Sequence, residues 1–274
     1  MQLDHAELTR ACRDIARIAG AAIMQIYESD FAIEHKDDNS PLTQADLAAH
    51  RTILDGLAAL VPDIPVLSEE SAHEVPWSMR REWSRYFLVD PLDGTREFIK
   101  RNGEFTVNIA LIVDHAPTLG VVYAPALDEM YSAWQGRQAW FHADAQAQAA
   151  ALRTRARATP LVVAGSRSHA DPRMLDALAR IGAHETDSIK IVALGSSLKF
   201  CRAAQGSADL YIRYGPTSEW DTAAGQCVLE QAGGGVCRID GAALHYNTKE
   251  SLLNPDFLAY GDRSIDWARV VSGA

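Results

Sequence analysis

Two periods of apolar residues alternate along the 274-residue chain. Leu8, Cys12, Ile15, Ala19, Ala22, Ile23 and Ile26 fall three or four positions apart, the stripe of an amphipathic helix running from Leu8 to Tyr27. A short extended piece at Phe31 leads into the polar loop Lys36–Pro41. The next helix is expected from Thr43, a suitable N-cap, to about Leu60, with Asp46 in its first turn and Pro62 as its stop. Shorter apolar runs predict strands at Pro65–Ser68, Tyr86–Asp90, Thr106–Ile112, Leu119–Tyr123 and Met130–Trp134. The neighbouring long strands, with turns between them, fit an antiparallel or mixed sheet.

Ala145–Thr159, rich in Ala, Gln and Arg, breaks this pattern and is the best internal boundary. It divides the chain into residues 1–150 and 151–274. Beyond it, strands are expected at Leu161–Ala164, Ile189–Leu194, Asp209–Arg213 and Val236–Ile239, with apolar pieces near Leu252 and Phe257–Tyr260 completing a second sheet. Helices are expected at Pro172–Ile181, after Gly195-Ser196-Ser197, and from Asp221 to about Gln231, where Gly233-Gly234-Gly235 stops the last one. Helices and strands alternating through both halves predict a layered α/β fold.

The strand Tyr86–Val89 delivers Asp90-Pro91-Leu92-Asp93-Gly94-Thr95 to its end. Pro91 fixes φ and Gly94 permits tight backbone geometry, so two carboxylates three residues apart can face one point. Their repulsion calls for a cation, a proton or a basic partner. The Gly94 and Thr95 N–H groups suit a phosphate oxygen. Taken alone, the hexapeptide reads equally well as an Asp-Pro and Asp-Gly turn. Asp46, Glu69 and Asp221 also fall at predicted helix or strand ends, where they can converge on one cleft; singly, each reads as a cap or a solvated strand end.

A formal net charge of -10 argues against nonspecific binding of long nucleic acids but leaves room for a local basic pocket. Cys12, Cys201, Cys227 and Cys237 form no close C-x-x-C pair, so neither a disulfide scaffold nor a zinc knuckle is indicated. The amino-terminal residues carry no secretory pattern and no apolar run reaches spanning length. The expectation is a soluble cytoplasmic protein, with peripheral attachment to the inner membrane left open. No protein partner is evident, and a monomer and a homodimer are equally compatible.

Together, Ser68-Glu69-Glu70, Asp90 through Asn108, Gly165–His169, Gly195–Cys201 and Pro216–Gly225 resemble the inositol monophosphatase superfamily, and more closely its 3'(2'),5'-bisphosphate nucleotidase branch. The resemblance covers nearly the whole chain. It implies an α-β-α-β-α sugar-phosphatase sandwich, lithium sensitivity, and two or three Mg²⁺ ions held by Glu69, Asp90, the Leu92 carbonyl, Asp93 and Asp221. Asp46 and Thr95 match the pair associated with a third ion and the attacking water, and Gly94 and Thr95 would contact phosphate. The implied substrate is a small phosphorylated nucleotide, 3'-phosphoadenosine 5'-phosphate, hydrolysed to AMP and phosphate; its 5'-phosphosulfate form also carries the 3'-phosphate.

The resemblance assigns Ser166, Arg167, Ser168 and His169 to the adenosine and 5'-phosphate side. Lys199 and Arg213 would add charge toward the non-reacting phosphate, and Tyr214 or Tyr211 would abut the base. Lys199 reads equally as a surface lysine, His169 as a turn donor, and Tyr211 more readily as core packing. The alternatives are an inositol or sugar monophosphatase and, from another class, a phosphate-metabolite sensor without turnover.

Independently of the resemblance, ester hydrolysis requires stabilising both the incoming and the departing oxygen, and paired metals about 3.5–4 Å apart can do so. Direct in-line attack by water, with Thr95 oriented by Asp46, is the expected route.

Overall fold

The computed structural model describes residues 4–29, 33–35, 41–144, 148–165, 171–183 and 188–273. The first helix, α1 (His5–Tyr27), starts on a capping box in which Asp4 accepts from Glu7 N–H at 2.7 Å. The second, α2 (Gln44–Leu60), starts on a similar box between Thr43 and Asp46. Between them, β1 (Ile33–His35) and β2 (Pro41–Thr43) pair antiparallel.

A seven-stranded sheet follows, in the order β3 (Val66–Ser68), β4 (Arg85–Asp93), β5 (Thr106–Val113), β6 (Ala116–Ala124), β7 (Glu129–Trp134), β8 (Trp140–His142) and β9 (Ala150–Ala151). The β3–β4 pair is parallel and the rest are antiparallel, so the sheet is mixed. A 3-10 turn, Glu69–Glu74, and the short α3 (Trp77–Arg80) fill the connection from β3 to β4.

The central strands are apolar at consecutive positions because both faces are covered. Phe87, Val89, Val107, Ile109, Leu119 and Val121 pack toward α1 and α2. Their neighbours Tyr86, Leu88, Ala110, Ile112 and Val122 face the opposite layer. Strand periodicity therefore sends alternate residues into two different cores.

The opposite layer is α6 (Leu198–Ala204) and α7 (Ala223–Gln231), sandwiched against a second, five-stranded sheet. Its order is β11 (Ile189–Ala193), β10 (Leu161–Gly165), β12 (Leu210–Arg213), β14 (Phe257–Tyr260) and β13 (Gly235–Arg238). On its outer face Leu161, Val163, Leu210, Ile212 and Leu258 pack with α5 (Pro172–Ala183) and α8 (Trp267–Ser272). Helix pair, sheet, helix pair, sheet and helix pair make the five-layer α-β-α-β-α sandwich. Helix α7 lies so close to β6 that a Cβ at Gly120 would come 2.5 Å from the Ala224 carbonyl oxygen. Only glycine fits there.

Most sequence-based boundaries match to within three residues, but β4 continues through Pro91 to Asp93 across a register shift between Asp90 and Asp93. The α8 helix was not expected. Asp221 ends a 3-10 turn, Glu219–Asp221, two residues before α7 begins. Among the described residues no helix is long and apolar enough to cross a membrane.

Candidate active site

The carboxylates converge where β3, β4 and the turn before α7 end. Glu69 is the first residue after β3, and the parallel β3–β4 pairing brings it beside the end of β4. Asp90 is 1% exposed and accepts the Leu92 N–H at 3.0 Å, an arrangement that the turn at Pro91 permits. Asp93 follows the register shift, and Gly94, at φ 93°, turns the chain into α4 (Thr95–Ile99). A left-handed residue at this corner sends Thr95 back over the site. Asp221 comes from the other half of the molecule, with its carboxylate fixed by the Ser218 N–H at 2.9 Å.

Burial pushes the Asp90 carboxyl well above the ordinary carboxylate range, and the charges of Glu69, Asp93 and Asp221 push it further. Asp221 is raised in the same way, by burial and then by Asp93 and Glu69. Asp93 is also raised by burial, opposed by Lys199 and by hydrogen bonds from Ser197 and Asn108. Glu69 lies close enough to the Asp90 carboxyl to disfavour its ionisation, so the cluster gains from positive charge placed among these carboxylates.

Among the described residues no three His, Cys, Asp or Glu side chains are already drawn into a metal cage. The donor chemistry nonetheless fits hard divalent cations: carboxylate oxygens plus the carbonyl of buried Leu92.

Asp46 has a double attachment. Its Oδ2 accepts from Thr43 N–H at 2.8 Å and from Thr43 Oγ1 at 2.6 Å. Its Oδ1 accepts from the Thr95 hydroxyl at 3.3 Å. The helix-capping and chemical readings of Asp46 are thus compatible: the cap holds the carboxylate that faces Thr95.

Two residues without an assigned role prove structural to the site. Ser197 Oγ, 1% exposed, lies 2.9 Å from Asp93 Oδ2 and 2.8 Å from the Asp221 carbonyl oxygen. Asn108 Nδ2 donates to Ser197 Oγ at 2.9 Å and to Asp93 Oδ2 at 3.3 Å. Asn108 left a signal in the sequence, a lone amide inside the apolar run Thr106–Val113. Ser197 left little, because a serine before a helix reads as a cap.

A cleft of roughly 140 Å³, partly open to solvent, extends from Asp93, Gly94 and Asp221 past Lys199 and Tyr211 to Arg213. Lys199 is buried rather than a surface lysine. Its ammonium donates to the Ser196 carbonyl at 2.7 Å and the Leu194 carbonyl at 3.2 Å, and desolvation pulls its pKa down to about 8 against the pull of Asp93. Arg213 donates through Nη2 to Pro216 O at 2.7 Å, while its buried Nε–H has no partner among the described residues.

Tyr211 both packs edge-on against Phe200 and Phe257 and lines the cleft. Tyr214 does neither. It lies on the outer layer with Arg173 over its ring at 4.8 Å, a correction to its expected place beside the base. Strand parity is the reason: Tyr211 and Arg213 share the inner face of β12, and Tyr214 falls on the other side. Ser166, Arg167, Ser168 and His169 lie outside the described residues, as does most of Lys36–Pro41.

The description "Inositol monophosphatase family" matches residues 4–266. The chain belongs to the inositol monophosphatase family. Within it, the chain is 52% identical over 252 residues to the 3'(2'),5'-bisphosphate nucleotidase CysQ of Escherichia coli (strain K12), covering 91% of this chain and 98% of that protein. The enzyme of that name from Buchnera aphidicola is 42% identical over 256 residues, 92% of each chain. The crystal structure of CysQ from Bacteroides thetaiotaomicron superposes with a TM-score of 0.79 at 38% identity, covering 93% of this chain and 97% of that one. The extragenic suppressor protein suhB from Bartonella henselae gives 0.78 at 25% identity, covering 96% and 98%.

Proposed function

We propose that this family member hydrolyses the 3'-phosphate of 3'-phosphoadenosine 5'-phosphate to AMP and phosphate, and that it also accepts the 5'-phosphosulfate form. The observation that carries the reading is the cluster of buried Asp90 with half-buried Glu69, Asp93 and Asp221, of which Asp93 and Asp221 line one end of a cleft whose other end is lined by Lys199 and Arg213. Anionic ligands for cations and cationic ligands for a second anion lie along one channel, as a bisphosphate requires. The names of the similar proteins point to the same substrate class.

In this reading, residues 1–150 supply most of the metal ligands, and residues 151–274 supply Asp221 and the specificity groups. Glu69, Asp90, Asp93, Asp221 and the Leu92 carbonyl would hold two Mg²⁺ ions, with Asp46 and Thr95 beside a third. Bound there, the ions would supply Lewis acidity toward the phosphoryl oxygens and the water.

The chain's own groups orient the reactants. Gly94 and Thr95 N–H groups face the phosphoryl oxygens at the start of α4. The Thr95 hydroxyl, hydrogen-bonded to Asp46, accepts the proton of the attacking water as its own passes to Asp46. Water oxygen bonds to phosphorus as the bond to the ribose 3'-oxygen breaks; that oxygen takes a proton from solvent and leaves as the hydroxyl of AMP, and Asp46 returns the proton it received to solvent. Lys199 and the unpartnered Arg213 Nε–H bind the 5'-phosphate, for which a guanidinium fork is well shaped.

The test is phosphate release with magnesium from the adenosine bisphosphate, its phosphosulfate form, inositol 1-phosphate and fructose 1,6-bisphosphate. Preference for the first two is expected. Equal turnover of all four removes the assigned specificity, and tight binding without release makes the protein a sensor.

A further inference from the structure

A second concentration of charge, of opposite sign, lies at the far end of α1. The helix has 23 residues and is about 34 Å long. Its C-terminal end, through Tyr27, packs on Phe98 of α4 beside the catalytic corner. Its N-terminal part lines another hollow with β7 and β8: Thr9, Arg10, Arg13, Ser132, Trp134 and Trp140 face it, with His142 at its edge.

Arg10, Arg13 and Arg17 fall at i, i+3 and i+7, on one side of the helix. Arg17 pairs with Asp128 at 3.4 Å. Among the described residues neither Arg10 nor Arg13 forms an ion pair. Arg13 donates through Nη1 to His142 Nε2 at 2.5 Å, and its buried Nε–H has no partner among the described residues. A guanidinium has no acceptor, so His142 must receive this bond as a neutral ring. Burial, with Arg13 and Arg17, holds the His142 pKa down. Arg13 itself is destabilised as a cation by burial, Arg17 and Arg10, and Asp14 offsets only part of this.

A half-buried guanidinium such as Arg13, with an unmet N–H and the exposed Arg10 one turn away, favours an anion. In a chain of net charge -10 the feature stands apart from the general surface. The two half-buried indoles beside it supply flat apolar walls, and the lining is otherwise poor in charge.

We infer that the hollow between α1, β7 and β8 is a second binding site, remote from the cleft, for a phosphorylated compound with a planar ring, of the purine nucleoside monophosphate class. The phosphate bonds Arg10 and Arg13, and the ring lies against Trp134 and Trp140. This does not depend on which ester the cleft hydrolyses.

The test uses the full chain labelled with 5-fluorotryptophan and observed by fluorine NMR without magnesium, with resonances assigned by Trp→Phe variants. AMP is expected to shift the Trp134 and Trp140 signals saturably. Losing one charge-assisted contact in Arg10→Gln should weaken that response at least about tenfold. Arg10 is exposed and unpaired, so this variant leaves the fold intact; Arg13→Gln should act in the same direction. No shift of either signal with AMP overturns the site, as does unchanged affinity in Arg10→Gln. Equal response to adenosine would remove the anion from the account, and equal affinity for inorganic phosphate would remove the ring.

Discussion

Ser197→Ala tests whether the two halves are joined through the site itself. The Ser197 hydroxyl accepts from Asn108 and has one proton to give, to Asp93 Oδ2 at 2.9 Å or to the Asp221 carbonyl at 2.8 Å. Alanine removes one bond to a charged acceptor, about 1.5–3 kcal/mol, and one neutral bond, about 0.5–1.5 kcal/mol. Asn108 retains its 3.3 Å contact with Asp93, which offsets part of the loss. A net destabilisation of about 2–3 kcal/mol follows. With an m-value of about 3 kcal/mol/M, the urea midpoint should fall by a little under about 1 M. The freed Asp93 carboxylate also loses its fixed direction, so turnover at fixed magnesium should drop about 10–100-fold, partly recovered by more magnesium. Urea unfolding and a magnesium titration of phosphate release measure both effects. A midpoint unchanged within error, together with unaltered magnesium dependence, would refute the bridging role.

Other substitutions probe neighbouring links. Asp90→Asn relieves the repulsion among buried carboxylates while keeping an acceptor for Leu92 N–H, so the variant should melt no lower than the parent in chelator. It should lose most of the magnesium-induced rise in melting temperature and nearly all turnover, which calorimetry and phosphate release would show. Gly94→Ala forces a side chain into a left-handed conformation, 3.2 Å from the Glu104 carbonyl oxygen, costing about 1–2 kcal/mol; thermal melting reads the cost, and a larger kinetic loss would show that Thr95 has moved. With its pKa lowered to about 8, Lys199 is charged below that pH and neutral above it. The KM for a bisphosphate should therefore rise between pH 7 and 9 while that for a compact monophosphate stays nearly flat, and parallel pH profiles for the two would exclude Lys199 from binding the second phosphate.

What could be read from the sequence alone was local or periodic. The α1 stripe, the Thr43 cap with Asp46, the both-sides-buried strands, and the carboxylates placed at element ends follow from spacing and turn chemistry. Asp90-Pro91-Leu92-Asp93-Gly94-Thr95 announces its corner because proline and glycine constrain a backbone whatever surrounds it. Alternation along β12 sets Tyr214 opposite Tyr211 and Arg213, but which of the two sides meets the cleft does not follow from it.

Long-range pairing decided the rest. Ser197 lies 104 residues from Asp93, and no local rule connects them; only the stacking of α6 and α7 between two sheets brings the hydroxyl to the carboxylate. Lys199 reads as a surface residue until that same layer buries it. Arg10 and Arg13 look like the solvated side of a helix until β7 and β8 bring two indoles and a neutral histidine beside them. Periodicity tells a residue which face of its own element it occupies. Which other element meets that face, and hence whether a charge is solvated, paired or left waiting for a ligand, is fixed by tertiary packing.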